Sequence, residues 1–400
     1  MSVKDYLVSE RIKNGAASTF GINETLAHSM ITATCLGYLL HLGGLLFVDT
    51  STIHLFPLAI YAAKCWIPQM KLGCDNTSPV WQLMICLFSL ESNALLNWVR
   101  LNDPDICLPG GWNSNHAKKS VDLAPPLYYA SSVGLEELVA GLLKAGEDVQ
   151  ARGGCDDSAL QAASLHGHSG VARILLEHGA HVNASGGEWG GALQGASWFG
   201  HADVVQVLLE HGADINAPGN KFGNPLQAAS HRGRKKVIRL LLENGADVNA
   251  PGGAYGTALQ AASNSNKASV ARSLLKNGAD VNAPAGAFAT ALQAASKRGS
   301  ERLVQLLLEH GVDVNAPGGL YSNALQVACY GSNVAAVRLL LEHGADVNAT
   351  NGGLGTALQV AYYVGSSAVV QLLLDNGAEM GLPECNFWVA RALAKFPTWT

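Results

Sequence analysis

GGAYGTALQAASNSNKASVARSLLKNGADVNAP, Gly252–Pro284, decides how this chain is read. It is one copy of a 33-residue unit that recurs without insertion over most of the 400 residues. Leu259 opens its short apolar run, and the same position is held by Leu127, Leu160, Leu193, Leu226, Leu292, Leu325 and Leu358. A fixed period of this size marks a solenoid, in which each unit buries its apolar face against its neighbours. Binding surface is therefore expected before chemistry.

Within the unit, the order is turn, helix, turn, helix and an extended finger. Thr257–Gln260, TALQ, has capping-box spacing: a Thr oxygen that can accept from the Gln backbone N–H, and a Gln side chain that can return to the Thr N–H. Ser158/Gln161, Asn224/Gln227, Thr290/Gln293, Asn323/Gln326 and Thr356/Gln359 repeat it, so capping is the expected role of the glutamine row. Gly191 and Ala124 break the pattern, which predicts starts weaker by roughly 0.5–2 kcal/mol in the first and third units. Pro126 and Pro225 follow at a position where a helix accepts proline.

The first helix is short and small-faced. Gly134, Gly167, Gly200, Gly233, Gly299 and Gly365 end it, with Asn266 in the fifth unit, since both residue types tolerate the left-handed conformation of a helix stop. The second helix carries larger apolar residues, such as Val204, Val205, Val207, Leu208 and Leu209. It stops at Gly146, Gly179, Gly212, Gly245, Gly278, Gly311, Gly344 and Gly377. His178, His211, His310 and His343 stand just before four of these, where an imidazole suits the helix C-terminus. Copies about 8–10 Å apart cannot share a metal whose ligands lie about 2 Å away, so no metal site is expected. The finger, ADVNAPGG-like, is stiffened by Pro218, Pro251, Pro284 and Pro317.

Helix, turn, helix and finger in 33 residues, with GADVNA and TALQAA, resembles the ankyrin repeat. The fold class expected is therefore all-α: an ankyrin-repeat solenoid of about eight units, over residues 122–385, with starts near 122, 155, 188, 221, 254, 287, 320 and 353. Glutamine in place of the motif's histidine, and an aromatic-Gly pair such as Tyr255-Gly256, are similar to ankyrin arrays at the C-terminal end of fungal NACHT-type NOD-like receptors. SVKDYLVSERI, CLGYLLHL, FPLAIYAAKCW and PPLYYAS resemble the helical region that precedes such arrays. No GxxxxGK[ST] phosphate loop is present, so ATP binding and nucleotide-driven oligomerisation do not carry over, and no cofactor is expected. The chain is expected to begin partway through a receptor-like architecture.

Composition agrees. Charged residues are 14% and the net charge is −5, too mild to suggest a nucleic-acid or membrane-surface partner. Eight scattered cysteines, with no CxxC, suit reduced thiols in the cytoplasm, with the nucleus as the other setting. Residues 1–102 read as a separate helical region with helices at Phe56–Met70 and Val80–Leu101, followed by a linker at 103–121. Met30–Val48 is uncharged and long enough to span a bilayer. Internal Thr32, Thr34 and His41, and the lack of flanking Lys or Arg, favour a buried helix broken near Gly43-Gly44. At the other end, residues 386–400 read as a capping helix and tail, with Trp388 in the core.

Recognition is expected where the units differ. One such set comprises the first-helix ends: Trp198/Phe199, His231/Arg232, Lys297/Arg298 and Tyr330. A second comprises the finger aromatics Trp189, Phe222, Tyr255, Phe288 and Tyr321, for which packing on the next finger is the favoured reading. In an ankyrin-like stack both would line the concave side, and Trp, Tyr and Arg are the usual hot-spot residues. The expected partner is a protein or peptide, with Trp198, Phe199, Arg232 and Arg298 anchoring an acidic-aromatic segment. Alanine at all four should abolish binding and leave thermal unfolding nearly unchanged. The function expected is a non-catalytic interaction module or scaffold, with a membrane-tethered adaptor using residues 30–48 as runner-up. No GxSxG, HExxH or P-loop supports an enzyme.

Overall fold

The computed structural model describes residues 24–44, 56, 58–73, 80–89, 93–102, 123–219, 222–284, 290–317, 323–350 and 355–379. They fall in two compact units, Met1–His181 and Val182–Thr400. The sequence expectations for residues 103–121, Phe288, Tyr321 and the 386–400 capping helix with Trp388 lie outside the described residues.

The first unit opens with α1 (Glu24–Gly43), α2 (Ala59–Gly73), α3 (Val80–Leu87) and α4 (Ala94–Leu101). Helix α1 ends at the glycine pair, as expected. A Cβ at Gly43 would lie 2.7 Å from that of Ala94, so α1 and α4 meet through a position with no side chain. Asn97 Nδ2 donates to the carbonyl of Leu42 at the same crossing. Among the described residues no helix is long and apolar enough to cross a membrane. Instead α1 packs on α2, α3 and α4, and buries His28 and Thr32 along with Leu36, Leu39 and Leu42. The second helix begins at Ala59 rather than Phe56, carries Pro68 inside it and continues to Gly73. Its face of Ala59, Ala62, Ala63 and Trp66 is buried.

The expected single helix over Val80–Leu101 is two helices. Phe88 and Trp98 have ring centroids 5.7 Å apart. In one straight helix, ten residues would separate them by about 15 Å, so Val80–Leu101 cannot be one straight helix. Their approach belongs to a cluster in which Trp98 also meets Trp66 at 5.9 Å and Tyr129 of the first repeat at 6.3 Å.

Repeats 1 and 2 complete this unit as α5 (Pro126–Val133), α6 (Glu136–Lys144), α7 (Ala159–His166) and α8 (Ser169–Glu177). The N-cap of α5 is Pro125, not Ala124, and it makes no side-chain capping bond. Six repeats form the second unit. Their first helices are α9 (Ala192–Phe199), α11 (Pro225–Arg232), α13 (Ala258–Asn264), α15 (Ala291–Arg298), α17 (Ala324–Tyr330) and α19 (Ala357–Val364). The second helices are α10 (Ala202–Glu210), α12 (Lys235–Glu243), α14 (Ala268–Lys276), α16 (Glu301–Glu309), α18 (Val334–Glu342) and α20 (Ser367–Asp375). Each first helix of this unit packs on the next first helix, and second helices pack likewise on their successors, as α10 does on α12 and α16 on α18. A pair of two-residue strands, β1 (Ser185–Gly186) and β2 (Gly190–Gly191), makes the finger that leads into the first helix of repeat 3.

Capping follows the sequence closely. Full capping boxes form at Asn224/Gln227, Thr257/Gln260, Thr290/Gln293 and Thr356/Gln359. Gly191 caps α9 with no side chain, as its identity requires. The eight second-helix glycines all lie at φ between 76 and 95°. Asn266 takes the left-handed position at φ 54°, and Ser332 does so at the matching place in repeat 7. In the histidines before the stops, Nδ1 bonds the carbonyl four residues back at 2.8 Å, as in His178 to Ile174 and His211 to Val207.

Fingers are joined by an asparagine ladder. Asn249 Nδ2 donates to the Gly278 carbonyl at 3.1 Å, while its Oδ1 accepts from the Asp280 N–H at 2.8 Å. Asn183, Asn282, Asn315 and Asn348 make the same donation one repeat on. Gln150 takes this role in repeat 1, donating to the Gly179 carbonyl. Each rung satisfies backbone groups that the extended finger leaves open.

Candidate interaction face

The finger and helix-end residues of repeats 3 to 5 come together because the 33-residue period brings them into register. The aromatic-Gly pairs make this geometry. Gly190, Gly223 and Gly256 have φ of 93, 78 and 84°, a conformation that turns the chain sharply after each aromatic and into the next helix start. A Cβ at Gly223 would also overlap the Gln227 side chain.

What results is one interleaved ladder. Trp189 of the third finger lies 5.4 Å from Trp198, 5.1 Å from Phe199 and 5.0 Å from Phe222. Phe222 of the fourth finger meets Trp198 at 4.3 Å. The imidazole of His231 stacks on Trp198 at 5.2 Å and on Tyr255 of the fifth finger at 4.4 Å. Trp189 does stack on the next finger, at an interplanar angle of 16°. Phe222 and Tyr255 are instead linked through Trp198 and His231, at the ends of two successive first helices. Ring pairs of this kind add about 0.5–1.5 kcal/mol beyond the area they bury. Trp198 therefore stiffens the face as well as presenting it, and thermal unfolding should respond to its removal.

Cations surround the ladder. The Arg232 guanidinium lies 5.2 Å from the Trp198 ring centroid. Arg234 Nε donates to the Trp198 carbonyl at 3.0 Å, and Arg298 Nε to the Asn264 carbonyl at 2.8 Å, each completing the C-terminus of a first helix. Arg232, Lys267, Lys297 and Arg298 are exposed, and Tyr330 is 37% exposed.

His231, one of the helix-end residues named from the sequence, sits at the centre of this group, in register with Trp198. Its Nδ1 lies 2.6 Å from Ser265 Oγ and its Nε2 3.5 Å from Tyr255 Oη. Burial, followed by the charges of Arg232, Arg298 and Lys267, pushes its pKa down to about 4. The ring is thus neutral at pH 7. An unfolded imidazole takes its proton near 6.5, so as pH falls from about 6.5 towards 4 the unfolded chain binds more protons and folding weakens. After discounting for solvent screening, a loss of about 1–2 kcal/mol over this window is expected. Urea unfolding of wild type and His231→Asn at pH 7 and pH 5 checks it: the wild type should lose more stability than the variant.

Elsewhere, a cavity of about 440 Å³ in the first unit is lined by Lys71, Trp81, Glu136, Glu137 and His168 among others. Its cation is committed: Lys71 Nζ donates to the Val133 carbonyl at 2.8 Å, and burial lowers its pKa. Burial raises Cys329 to about 12 and Cys35 to about 11, leaving both as thiols at neutral pH. Among the described residues no cluster of three His, Cys, Asp or Glu could hold a metal.

The family model for ankyrin repeats (3 copies) matches residues 127–219, 193–285, 227–318 and 292–383, well over half of the chain. The chain belongs to the ankyrin-repeat family. It is also similar to the azaphilone pigments biosynthesis cluster protein L of Monascus ruber, 38% identical over 184 residues. That alignment covers 44% of this chain and 38% of the relative, so the chain spans about two-fifths of that relative's length. Ankyrin repeats are protein–protein interaction modules, and the all-α solenoid is the architecture seen in both units.

Proposed function

We infer that this chain is a non-catalytic interaction module or scaffold, and that it holds a protein partner on the face made by the fingers and first-helix ends of repeats 3 to 7. The observation that carries this reading is the Trp189–Trp198–Phe222–His231–Tyr255 ladder, half-buried and edged by exposed cations. Stacking fixes these rings before binding, so little side-chain entropy is lost when a partner covers them. Exposed Arg232, Lys297, Arg298 and Tyr330 supply the variable contacts of a recognition surface.

A cytoplasmic recognition protein of the fungal NOD-like-receptor type fits the quoted N-terminal motifs and the Gln-containing repeats. The membrane-tethered alternative has no support from the described helices.

Proximity labelling with wild type and an Arg232→Ala/Lys297→Ala/Arg298→Ala variant tests the reading. These side chains are exposed, so the variant should unfold within a few degrees of the wild type. Partners that label the wild type should be lost from the variant. An identical labelled set from a folded variant would place binding on another surface.

A further inference from the structure

The spacing of the cations says more about what the face accepts. Arg232 and Arg298 occupy the same position two repeats apart, and Lys267 stands in the turn of the repeat between them. Among the described residues none of the three is paired with a carboxylate, unlike Arg152 with Asp157 and Arg239 with Glu243. Aromatic groups flank them on both sides: Trp189, Trp198 and Phe199 one repeat before Arg232, and Tyr330 one repeat after Arg298. Helices packed side by side advance about 8–10 Å per repeat, and an extended chain advances about 3.3 Å per residue. Three residues of an extended segment therefore match one repeat.

We propose that the face binds an extended acidic segment of a partner protein, with carboxylates three residues apart facing Arg232, Lys267 and Arg298, and with an apolar residue three positions outside each end. This rests on the interaction-face reading above and names its partner's chemistry. The chain as a whole carries −5, so the three cations form a local exception, and charge complementarity selects an anionic occupant. Carboxylates on a peptide suit it better than a nucleic-acid strand, because a chain of net charge −5 offers only this small group of cations and no broad basic surface. His231 contributes by staying neutral. A charged imidazole there would add a fourth cation inside the ring stack, whereas the neutral ring packs Trp198 against Tyr255 and leaves the charges at the surface.

The test uses the full chain and a fluorescein-labelled 13-residue peptide of Gly and Ser carrying Leu at 1 and 13 and Glu at 4, 7 and 10. A second peptide of the same composition carries its glutamates at 4, 5 and 6. Fluorescence anisotropy should give a Kd at least about tenfold lower for the spaced peptide, weakening as salt rises from 50 to 200 mM. Arg232→Gln/Arg298→Gln should raise that Kd about tenfold, and Arg239→Ala, on an outer helix, should leave it unchanged. Arg232→Glu/Arg298→Glu should prefer a peptide with lysine at 4 and 10, which separates charge matching from loss of folding. Equal binding of the two peptides, indifference to the Gln pair, or tighter binding of an oligonucleotide of the same charge would each overturn the proposal. If the peptide fails while proximity labelling still depends on Arg232, Lys297 and Arg298, the interaction face stands and the acidic segment falls. If both fail, the face itself is wrong.

Discussion

Trp98→Ala is expected to destabilise the Met1–His181 unit by about 3–5 kcal/mol, the largest single effect in that half of the molecule. Trp98 is fully buried, its ring lies within 6.3 Å of those of Trp66, Phe88 and Tyr129, and its Nε1 donates to the Ala63 carbonyl at 3.1 Å. Alanine would leave a cavity among three aromatic rings and remove the hydrogen bond that ties α4 to α2. Tyr129 carries the effect into the first repeat. It contacts Tyr128 at 5.3 Å, and Tyr128 Oη in turn donates to Asp156 of the second repeat. A solenoid needs its end covered, and this aromatic chain is how the helical block covers repeat 1. Hydrogen exchange should therefore show lost protection in Pro126–Val133 as well as in Ala94–Leu101, with Ala291–Glu342 unchanged. If protection fell in Ala94–Leu101 alone, the block would fold beside the repeat without supporting it.

The repeats were legible because their determinants are local. Period, cap, glycine stop and finger asparagine are each read within one unit, and the structure honours them at Thr257, Asn266 and Gly278. Helix starts in the first hundred residues were less legible. The division of Val80–Leu101 into two helices goes with Trp98 packing against Phe88 and Trp66, contacts between elements that no local pattern encodes. For the interaction face, the sequence separated finger aromatics from helix ends, because the two lie nine residues apart in one unit. The fold interleaves them: Trp198 lies between its own finger and the next, and His231 between Trp198 and the finger after that. The sequence placed His231 in the helix-end set, but not the stacking of its ring on both Trp198 and Tyr255, which only the register of neighbouring repeats creates.

Gln227→Ala is expected to cost about 3–5 kcal/mol, well beyond the roughly 1 kcal/mol of a lost helix cap. The side chain is fully buried. Its Oε1 accepts from the Asn224 N–H at 2.9 Å, which is the capping bond. Its Nε2 also donates to the Ala250 carbonyl at 2.8 Å and the Gly256 carbonyl at 2.6 Å, both in the next finger. Gln260 repeats the arrangement, reaching the carbonyls of Ala283 and Pro284. Gln194, Gln293 and Gln326 also bond the carbonyl 23 residues on. The glutamine row is therefore both a set of caps and a row of ties between successive repeats. Gln227→Glu separates the two roles. A glutamate keeps the oxygen that accepts from Asn224, as capping boxes allow, so a capping role alone predicts a change within about 0.5 kcal/mol. It has no N–H to give, and sets a buried carboxylate against two carbonyls, so the tie predicts a loss at least as large as for alanine. Urea unfolding of Gln227→Ala, Gln227→Glu and Asn224→Ala would rank them. A near-native glutamate variant would reduce the row to caps, whereas a glutamate variant as weak as alanine would show that neighbouring repeats are fastened through a buried amide donor.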